Sequence, residues 1–196
     1  MNEKLESAVV LGPDETFTPT GDFVFDIETG PLDEEGESGA LDARTGRVIA
    51  IGYFIPKTKR YYISFCEEEK QMLMLFWWLF IYSENYGMKM IGHNIIGFDV
   101  PFLIRRSWHH HVSVPKSVFG KYGKLSETFA DTMQIWKCGS YKDFLSLDNL
   151  AKFLGAGGKN GSGERFATLW KNDRDAAKEY LINDLDLTSG CAEVMG

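Results

Sequence analysis

The sequence contains few cysteines, and their spacing shows no pairing pattern. Three cysteines occur in 196 residues, at Cys66, Cys138 and Cys191, and no two of them form a CxxC motif. This number and spacing argue against a disulfide framework and indicate a reducing compartment. A chain of this length can bury a full hydrophobic core without covalent cross-links, so we expect one globular domain.

The sequence also lacks a long apolar segment. Its longest apolar run covers residues 72–82, eleven residues, whereas a membrane-spanning helix needs about 20. The first ten residues, MNEKLESAVV, have neither the basic region nor the apolar stretch of a signal peptide. We therefore expect a cytoplasmic protein without a membrane partner, in which residues 72–82 belong to a buried helix.

An excess of positive charge is missing as well. The net charge is −7, which by itself argues against a polyanionic partner. The charges are unevenly distributed, because residues 1–42 contain twelve Asp and Glu against one Lys, whereas residues 105–174 contain twelve Lys and Arg against six Asp and Glu. The basic segment is either an ordinary solvated surface or, in a nucleic-acid enzyme, a surface that contacts phosphates.

The apolar pattern predicts an α/β fold. Five strands are predicted, in the segments GDFVFDIET, RVIAIGYF, KRYYISF, MKMIGHN and the start of TFADTMQIW. Helices are predicted over residues 67–85, 97–107, 146–155 and 173–194, and the strand in TFADTMQIW is predicted to pass into a further helix. This order predicts a central mixed five-stranded sheet flanked by helices. We expect residues 1–20 to be a partly ordered lead-in and residues 21–196 to form a single domain.

Two loops stand out between these elements. Residues 31–47 form an acidic, glycine-containing connection that is long for a link between two strands. Residues 155–163 are rich in glycine but lack the Lys-Ser/Thr pair of a phosphate-binding P-loop. The second stretch is a candidate for a mobile flap over a functional site.

Two carboxylates lie close together on the first predicted strand of the domain. Side chains alternate along a strand, so Asp26 and Glu28 project from one face while Phe25 and Ile27 project from the other. Neighbouring carboxylates on an apolar strand repel each other unless a cation neutralises them, and oxygen ligands suit Mg²⁺ or Mn²⁺. The alternative is a strand end with two exposed acids.

Two further segments carry polar residues at informative spacings. Asn94 and Asp99 are five residues apart, at a predicted strand end and helix start, where either could instead act as a cap. Tyr180 and Asp184 share one face of the last predicted helix. The alternative there is an aromatic core residue followed by an exposed acid. Asp186 is rotated well around the helix, and we expect it to face elsewhere.

Together these segments resemble the DEDD superfamily of DnaQ-like 3′→5′ exonucleases, which have a ribonuclease H-like fold. The family motifs appear as Asp26-Ile27-Glu28, as Asn94 through Phe98-Asp99, and as Tyr180 through Asp184. Members of the other subclass carry a histidine five residues before the last aspartate, where this chain has Glu179. The chain is therefore similar to the tyrosine subclass, and in particular to the proofreading exonuclease domain of family B DNA polymerases.

The resemblance implies an activity and a set of ligands. Two divalent metal ions, Mg²⁺ or Mn²⁺, would be bound by Asp26, Glu28, Asp99 and Asp184, and Tyr180 would orient the attacking water. The substrate would be nucleic acid, with DNA preferred over RNA, and the enzyme would stand alone, releasing nucleoside 5′-monophosphates from single-stranded 3′ ends. The substrate contacts would come from Thr29, Asn94 and Phe98.

Two other functions stay open on the sequence alone. One is a ribonuclease D-like exonuclease acting on RNA 3′ ends, because recognition of the 2′-hydroxyl decides between the polymers and no motif reports it. The other is a non-catalytic module that binds nucleic acid on the same fold. The retention of four repelling carboxylates favours an enzyme.

Overall fold

The computed structural model describes residues 3–12, 15–32, 39–65, 68–158 and 166–196. Its strands are β1 Val9–Leu11, β2 Phe23–Pro31, β3 Gly46–Ile55, β4 Arg60–Ser64, β5 Met90–Gly92 and β6 Phe129–Asp131. Its helices are α1 Glu3–Ser7, α2 Glu69–Tyr86, α3 Asp99–His109, α4 Thr132–Lys137, α5 Leu147–Leu154, α6 Phe166–Asn172 and α7 Arg174–Met195. Two short 3₁₀ turns lie between α3 and β6, at Lys116–Val118 and Lys121–Gly123.

The strands form one mixed sheet in the order β1-β4-β3-β2-β5-β6. Strands β2, β3 and β4 pair antiparallel, whereas β1, β5 and β6 join their neighbours in parallel. The predicted α/β architecture with a mixed sheet is therefore confirmed. Strand β2 lies near the centre of the sheet, where both of its edges are covered over part of its length.

The sheet has six strands in this structure, so the predicted number of five was wrong. The additional strand is β1, from the N-terminal lead-in, which pairs in parallel with β4. It is only three residues long, too short for an alternating pattern to be distinctive. Its pairing covers an edge of β4 that would otherwise expose unpaired backbone groups. The predicted domain boundary at residue 21 stays a prediction.

All the predicted helices are present, and the sequence contained signals for the ends of some of them. Helix α5 begins after Ser146, whose hydroxyl accepts a bond from the Asn149 N–H, and ends at Gly155 in the left-handed region. Asp173 caps α7 by accepting the Ala176 N–H. Helix α6 was not predicted. Residues 33–38 and 159–163 of the two unusual loops lie outside the described residues, so the flap stays a prediction.

Apolar residues fill both faces of the sheet. One core lies between the sheet and helices α2 and α3, and it contains Phe23, Phe25 and Ile27 of β2. The other lies under α6 and α7 and contains Val24 of the same strand. Adjacent residues of β2 thus alternate between two separate cores, as the pleat of a strand requires. A third, smaller cluster packs α5 against the end of α7.

Helix α2 is less buried than its composition suggests. Its inner side is fully packed, but Met74, Trp78 and Ile81 are exposed on its outer side. The prediction of a buried helix is confirmed for the inner side, which includes Met72, Phe76 and Phe80. A single helix on a sheet has only one side to bury, so the outer side stays exposed. In the described ranges, no helix is long and apolar enough to cross a membrane.

Candidate metal centre

Strand β2 presents two carboxylates toward α7. Asp26 and Glu28 are half-buried and lie on the same face as Val24, which packs in the core under α6 and α7. Phe25 and Ile27 point into the opposite core. The alternation predicted from the sequence therefore places both acids on the face that meets the last helix.

Helix α7 brings a third carboxylate to the same place. Asp184 is 6% exposed, and Leu181 and Leu185 on either side of it are completely buried against the sheet. These two leucines lie over Gly52, the residue of β3 that pairs with Asp26. A Cβ atom at Gly52 would lie 2.8 Å from the Leu181 Cγ and 2.9 Å from a Leu185 Cδ.

Gly52 is a functional residue that the sequence prediction missed. No real Cβ approaches other atoms so closely, so only glycine allows α7 to lie this near to β2 and β3. The available signal was a glycine in the middle of the apolar segment RVIAIGYF, which marks a close approach of another element.

The three carboxylates form a group suited to a divalent cation. One oxygen of each of Asp26, Glu28 and Asp184 lies within 4.8 Å of the others. Three partly desolvated negative charges at this separation repel one another strongly, and a bound cation removes that penalty. Carboxylate oxygens are hard donors, which suit Mg²⁺ or Mn²⁺. The residues present therefore fit a divalent metal.

Asp99 lies at the edge of β2, beyond the end of β5, and is not a member of this three-carboxylate group in the part of the chain that the structure describes. It is the first residue of α3, is buried, and its Oδ1 accepts the Ile27 N–H at 3.2 Å. Strand β5 pairs with β2 only at Phe23 and Val24. The Ile27 N–H therefore lies beyond the end of β5, and Asp99 replaces the missing strand as acceptor.

The Asp99 carboxyl is a much weaker acid than an ordinary aspartate. Burial and, to a smaller extent, the nearby Asp131 carboxylate raise the pKa of its carboxyl to about 7, against the lowering effect of the bonds from backbone N–H groups. A divalent cation close by would favour the ionised form of such a group. Asp99 accepts the N–H of Ile27, the residue between Asp26 and Glu28. The backbone of β2 therefore links Asp99 to two of the three carboxylates.

Asp131 organises the loop that leads into α3, a role that the sequence prediction did not assign. Its carboxylate is buried and accepts N–H bonds from Asn94 at 2.8 Å, Ile96 at 2.9 Å and Met133 at 2.9 Å. The resulting turn lets Asn94 adopt a left-handed φ of 61°. A conformation of this kind is costly outside glycine and is tolerated best by Asn and Asp.

The two predicted substrate contacts in this loop, Asn94 and Phe98, have different surroundings. The Asn94 side chain folds over Gly97, where an added Cβ would lie 2.5 Å from its Oδ1. Phe98 is half-buried and packs its ring against Phe102, with centroids 5.5 Å apart. Phe98 thus contributes to the core, and its contact with substrate stays a prediction.

Tyr180 lies one turn before Asp184 on α7. It is half-buried and its ring lies 6.2 Å from that of Phe166. Asp186, in contrast, points away from the metal centre, because its carboxylate accepts bonds from the Tyr61 hydroxyl and the Lys4 ammonium, each at 2.5 Å. The expectation that Asp186 faces elsewhere is confirmed.

A cleft of about 800 Å³ opens beside Glu28, one of the three carboxylates. Glu28 and Thr29 both line it. Its walls are the β2–β3 hairpin on one side and α6 on the other, and they include two aromatic and two cationic side chains, Phe166, Trp170, Arg47 and Lys171. Trp170 is fixed by stacking on Phe65, with ring centroids 4.0 Å apart. The cleft is large enough for a nucleotide-sized ligand.

Comparison with known families agrees with this geometry. A family model described as RNase H superfamily matches residues 23–185, from β2 into α7, and the match includes all five predicted catalytic residues. That superfamily suggests nuclease activity on nucleic acid, typically with divalent metals. Among curated proteins, none matches the chain.

We predict that Gly52→Ala weakens Mn²⁺ binding by roughly tenfold, because the added methyl group pushes α7 and Asp184 away from β2. Isothermal titration calorimetry with Mn²⁺ measures the effect. Gly21→Ala is the matched control, since the nearest atom to its added Cβ lies 3.9 Å away. Equal Mn²⁺ affinities for the two variants would contradict the role assigned to Gly52.

We also predict that Asp99→Asn stabilises the metal-free protein at pH 8 by on the order of 2 kcal/mol and changes its stability little at pH 4. The raised pKa means that the unfolded chain loses this proton at a lower pH than the folded protein does, so wild-type stability falls between about pH 4 and about pH 7. Urea unfolding in EDTA at both pH values measures this. A gain that is the same at pH 4 and pH 8 would show that the pKa is not raised.

Proposed function

The chain belongs to the RNase H superfamily, and from that membership and the metal centre we propose that it is a 3′→5′ exonuclease of the DEDD type, tyrosine subclass. Its proposed substrate is DNA with a single-stranded 3′ end, and its products are nucleoside 5′-monophosphates. The observation that carries the proposal is the group formed by Asp26, Glu28 and Asp184, with Tyr180 one turn away.

Two divalent ions fit the proposed chemistry, in which bound metal activates water and stabilises the departing 3′ oxygen. Asp26, Glu28 and Asp184 would hold one ion, and Asp26 would also contact the second. Asp99 would help to hold the second ion, and its Oδ1 accepts the Ile27 N–H. The same bond fixes the backbone between Asp26 and Glu28, so Asp99 also orients two of the direct ligands.

Tyr180 is proposed to orient the attacking water. Its position four residues before Asp184 puts both side chains on one face of α7. A phenol hydroxyl is neutral at physiological pH and can donate a hydrogen bond without competing for a metal ion. Its packing against Phe166 limits the movement of the ring.

The cleft beside Glu28 is the proposed site for the terminal nucleotide. Phe166 and Trp170 offer aromatic surfaces on which any base can stack, which suits an enzyme without sequence preference. Arg47 and Lys171 supply positive charge at the same cleft for phosphate groups. Thr29 lines the cleft directly, and we propose that Asn94 and Phe98 contact the same nucleotide from the other side of the metal centre.

We predict that Asp26→Asn and Asp184→Asn each abolish hydrolysis, because either change removes a negatively charged ligand while keeping the side-chain shape. The measurement is release of mononucleotides from end-labelled single-stranded DNA and, in parallel, RNA with Mg²⁺. Asp186→Asn is the control, because it changes the same helix at a carboxylate bonded to Tyr61 and Lys4. Near-normal rates in either ligand variant would refute the proposal, and faster RNA hydrolysis would reassign the substrate.

We predict that Tyr180→Phe slows hydrolysis by roughly 10- to 100-fold while Mn²⁺ affinity stays unchanged, because the hydroxyl acts on water. Activity assays and calorimetry on the same preparations separate the two effects. Tyr61→Phe is the matched control, since it removes a tyrosine hydroxyl bonded to Asp186 on the far side of α7. Loss of Mn²⁺ binding in Tyr180→Phe would mean that this tyrosine is structural instead.

A further inference from the structure

A buried ion pair lies on the opposite face of the sheet from α6 and α7. Glu69, the first residue of α2, and Arg106, near the end of α3, are 6% and 1% exposed. Arg106 donates from Nε to Oε1 of Glu69 at 2.9 Å and from Nη2 to Oε2 at 2.6 Å. Burial alone would raise the pKa of Glu69, but the bonds from Arg106, the Val48 N–H and His110 outweigh it and lower that pKa.

Stability by itself is a weak explanation for this pair. Removing two charges from water costs several kcal/mol per ion in a protein interior, on the order of what their attraction returns. Apolar residues of the same volume often stabilise such a site equally well. The contacts that the pair makes with the backbone therefore become the informative feature.

Glu69 holds one strand of the hairpin that borders the cleft. Its Oε1 accepts the Val48 N–H at 2.8 Å. Strand β4 pairs with β3 only from Ile51 onward, so Val48 lies beyond the end of β4 and Glu69 acts as its acceptor instead. The residues before and after Val48, Arg47 and Ile49, both line the cleft.

This contact lies at an irregular point of the sheet. The register of β2 and β3 shifts between Glu28 and Thr29, because Glu28 pairs with Ala50 and Thr29 with Val48. The additional residue, Ile49, forms a β-bulge, a feature that re-aims side chains next to active sites. Fixing the Val48 N–H beyond the end of β4 therefore fixes the bulge and the direction of the Ile49 side chain.

Arg106 holds the turn at the end of the same hairpin. Its Nη1 donates to the carbonyl oxygen of Ala43 at 3.1 Å. Ala43 directly follows residues 39–42, which form part of the cleft wall. The Leu32 N–H donates to the Thr45 carbonyl at 2.9 Å and joins this turn to the end of β2. One ion pair thus anchors both the strand and the turn that border the cleft.

We propose that Glu69 and Arg106 are positioning residues that set the shape of the cleft, and hence its affinity for the terminal nucleotide, without touching the nucleotide. This inference rests on the proposed function of the cleft. Two of the metal ligands lie apart from the anchored segment, because Asp26 pairs with Gly52 and Asp184 belongs to α7, whereas Glu28 adjoins the bulge. The pair therefore governs binding of the nucleotide more than the chemical step.

The test uses Arg106→Lys, which keeps the charge but loses the planar fork that joins Glu69 to the Ala43 carbonyl. We expect KM for end-labelled single-stranded DNA to rise by roughly tenfold with kcat within about threefold of wild type. Calorimetry with Mn²⁺ and thymidine 5′-monophosphate should show a similar loss of nucleotide affinity and an unchanged affinity for Mn²⁺ alone. An unchanged KM and nucleotide affinity would overturn the inference.

A matched control separates positioning from general stability. Ser107→Ala removes the bond from the Trp77 indole at 2.7 Å, which also joins α2 to α3 and is equally buried, but which involves neither Val48 nor Ala43. We expect this variant to be destabilised with an unchanged KM. If Ser107→Ala and Arg106→Lys had the same thermal stability and the same rise of KM, the ion pair would be merely structural.

Three further outcomes also decide for or against the inference or the proposed function. If Arg106→Lys does not fold, the double variant Glu69→Met/Arg106→Met replaces the pair by apolar side chains, and wild-type nucleotide affinity in that variant overturns the inference. If the wild-type protein hydrolyses neither polymer, the exonuclease proposal fails, while binding of thymidine 5′-monophosphate still tests the pair. Absence of nucleotide binding by the wild-type protein also overturns the inference.

Discussion

The close contact between α7 and the centre of the sheet is the constraint on which the metal centre depends. Asp184 meets Asp26 and Glu28 only because Leu181 and Leu185 can pack directly on the backbone of Gly52. The apolar packing under α7 therefore supplies the energy that holds three repelling carboxylates together. A bound cation would favour the same arrangement as this packing, so binding of a metal ion would be linked to folding of the domain.

A second constraint comes from strands of unequal length. The Ile27 and Val48 N–H groups both lie beyond the end of a neighbouring strand, and each donates to a buried carboxylate in the first turn of a helix, Asp99 or Glu69. Buried backbone donors need such partners. The two sites differ in charge, because Arg106 neutralises Glu69, whereas the neighbour that influences Asp99 is another carboxylate. The charge of Glu69 is therefore neutralised within the protein, whereas a nearby cation would stabilise an ionised Asp99.

Local sequence patterns predicted most strands and helices of this fold but missed its short elements. Period-two alternation correctly separated Asp26 from Phe25, and capping signals correctly marked the ends of α5 and α7. The prediction missed β1 because three residues carry too little periodicity, and it missed α6, which is only seven residues long. The packing of α6 depends on the contact between Trp170 and the distant Phe65, which no local pattern reveals.

The sequence by itself determined the α/β class, the shared face of Asp26 and Glu28, and the spacing of Tyr180 and Asp184. These properties follow from the periods of strands and helices, which are fixed by backbone geometry. The tertiary structure was needed to show that Asp184 joins the other two acids, that Asp99 lies at the edge of β2, and that a cleft opens beside Glu28. Those outcomes depend on contacts between residues far apart in the chain, whose geometry is set by packing rather than by local periodicity.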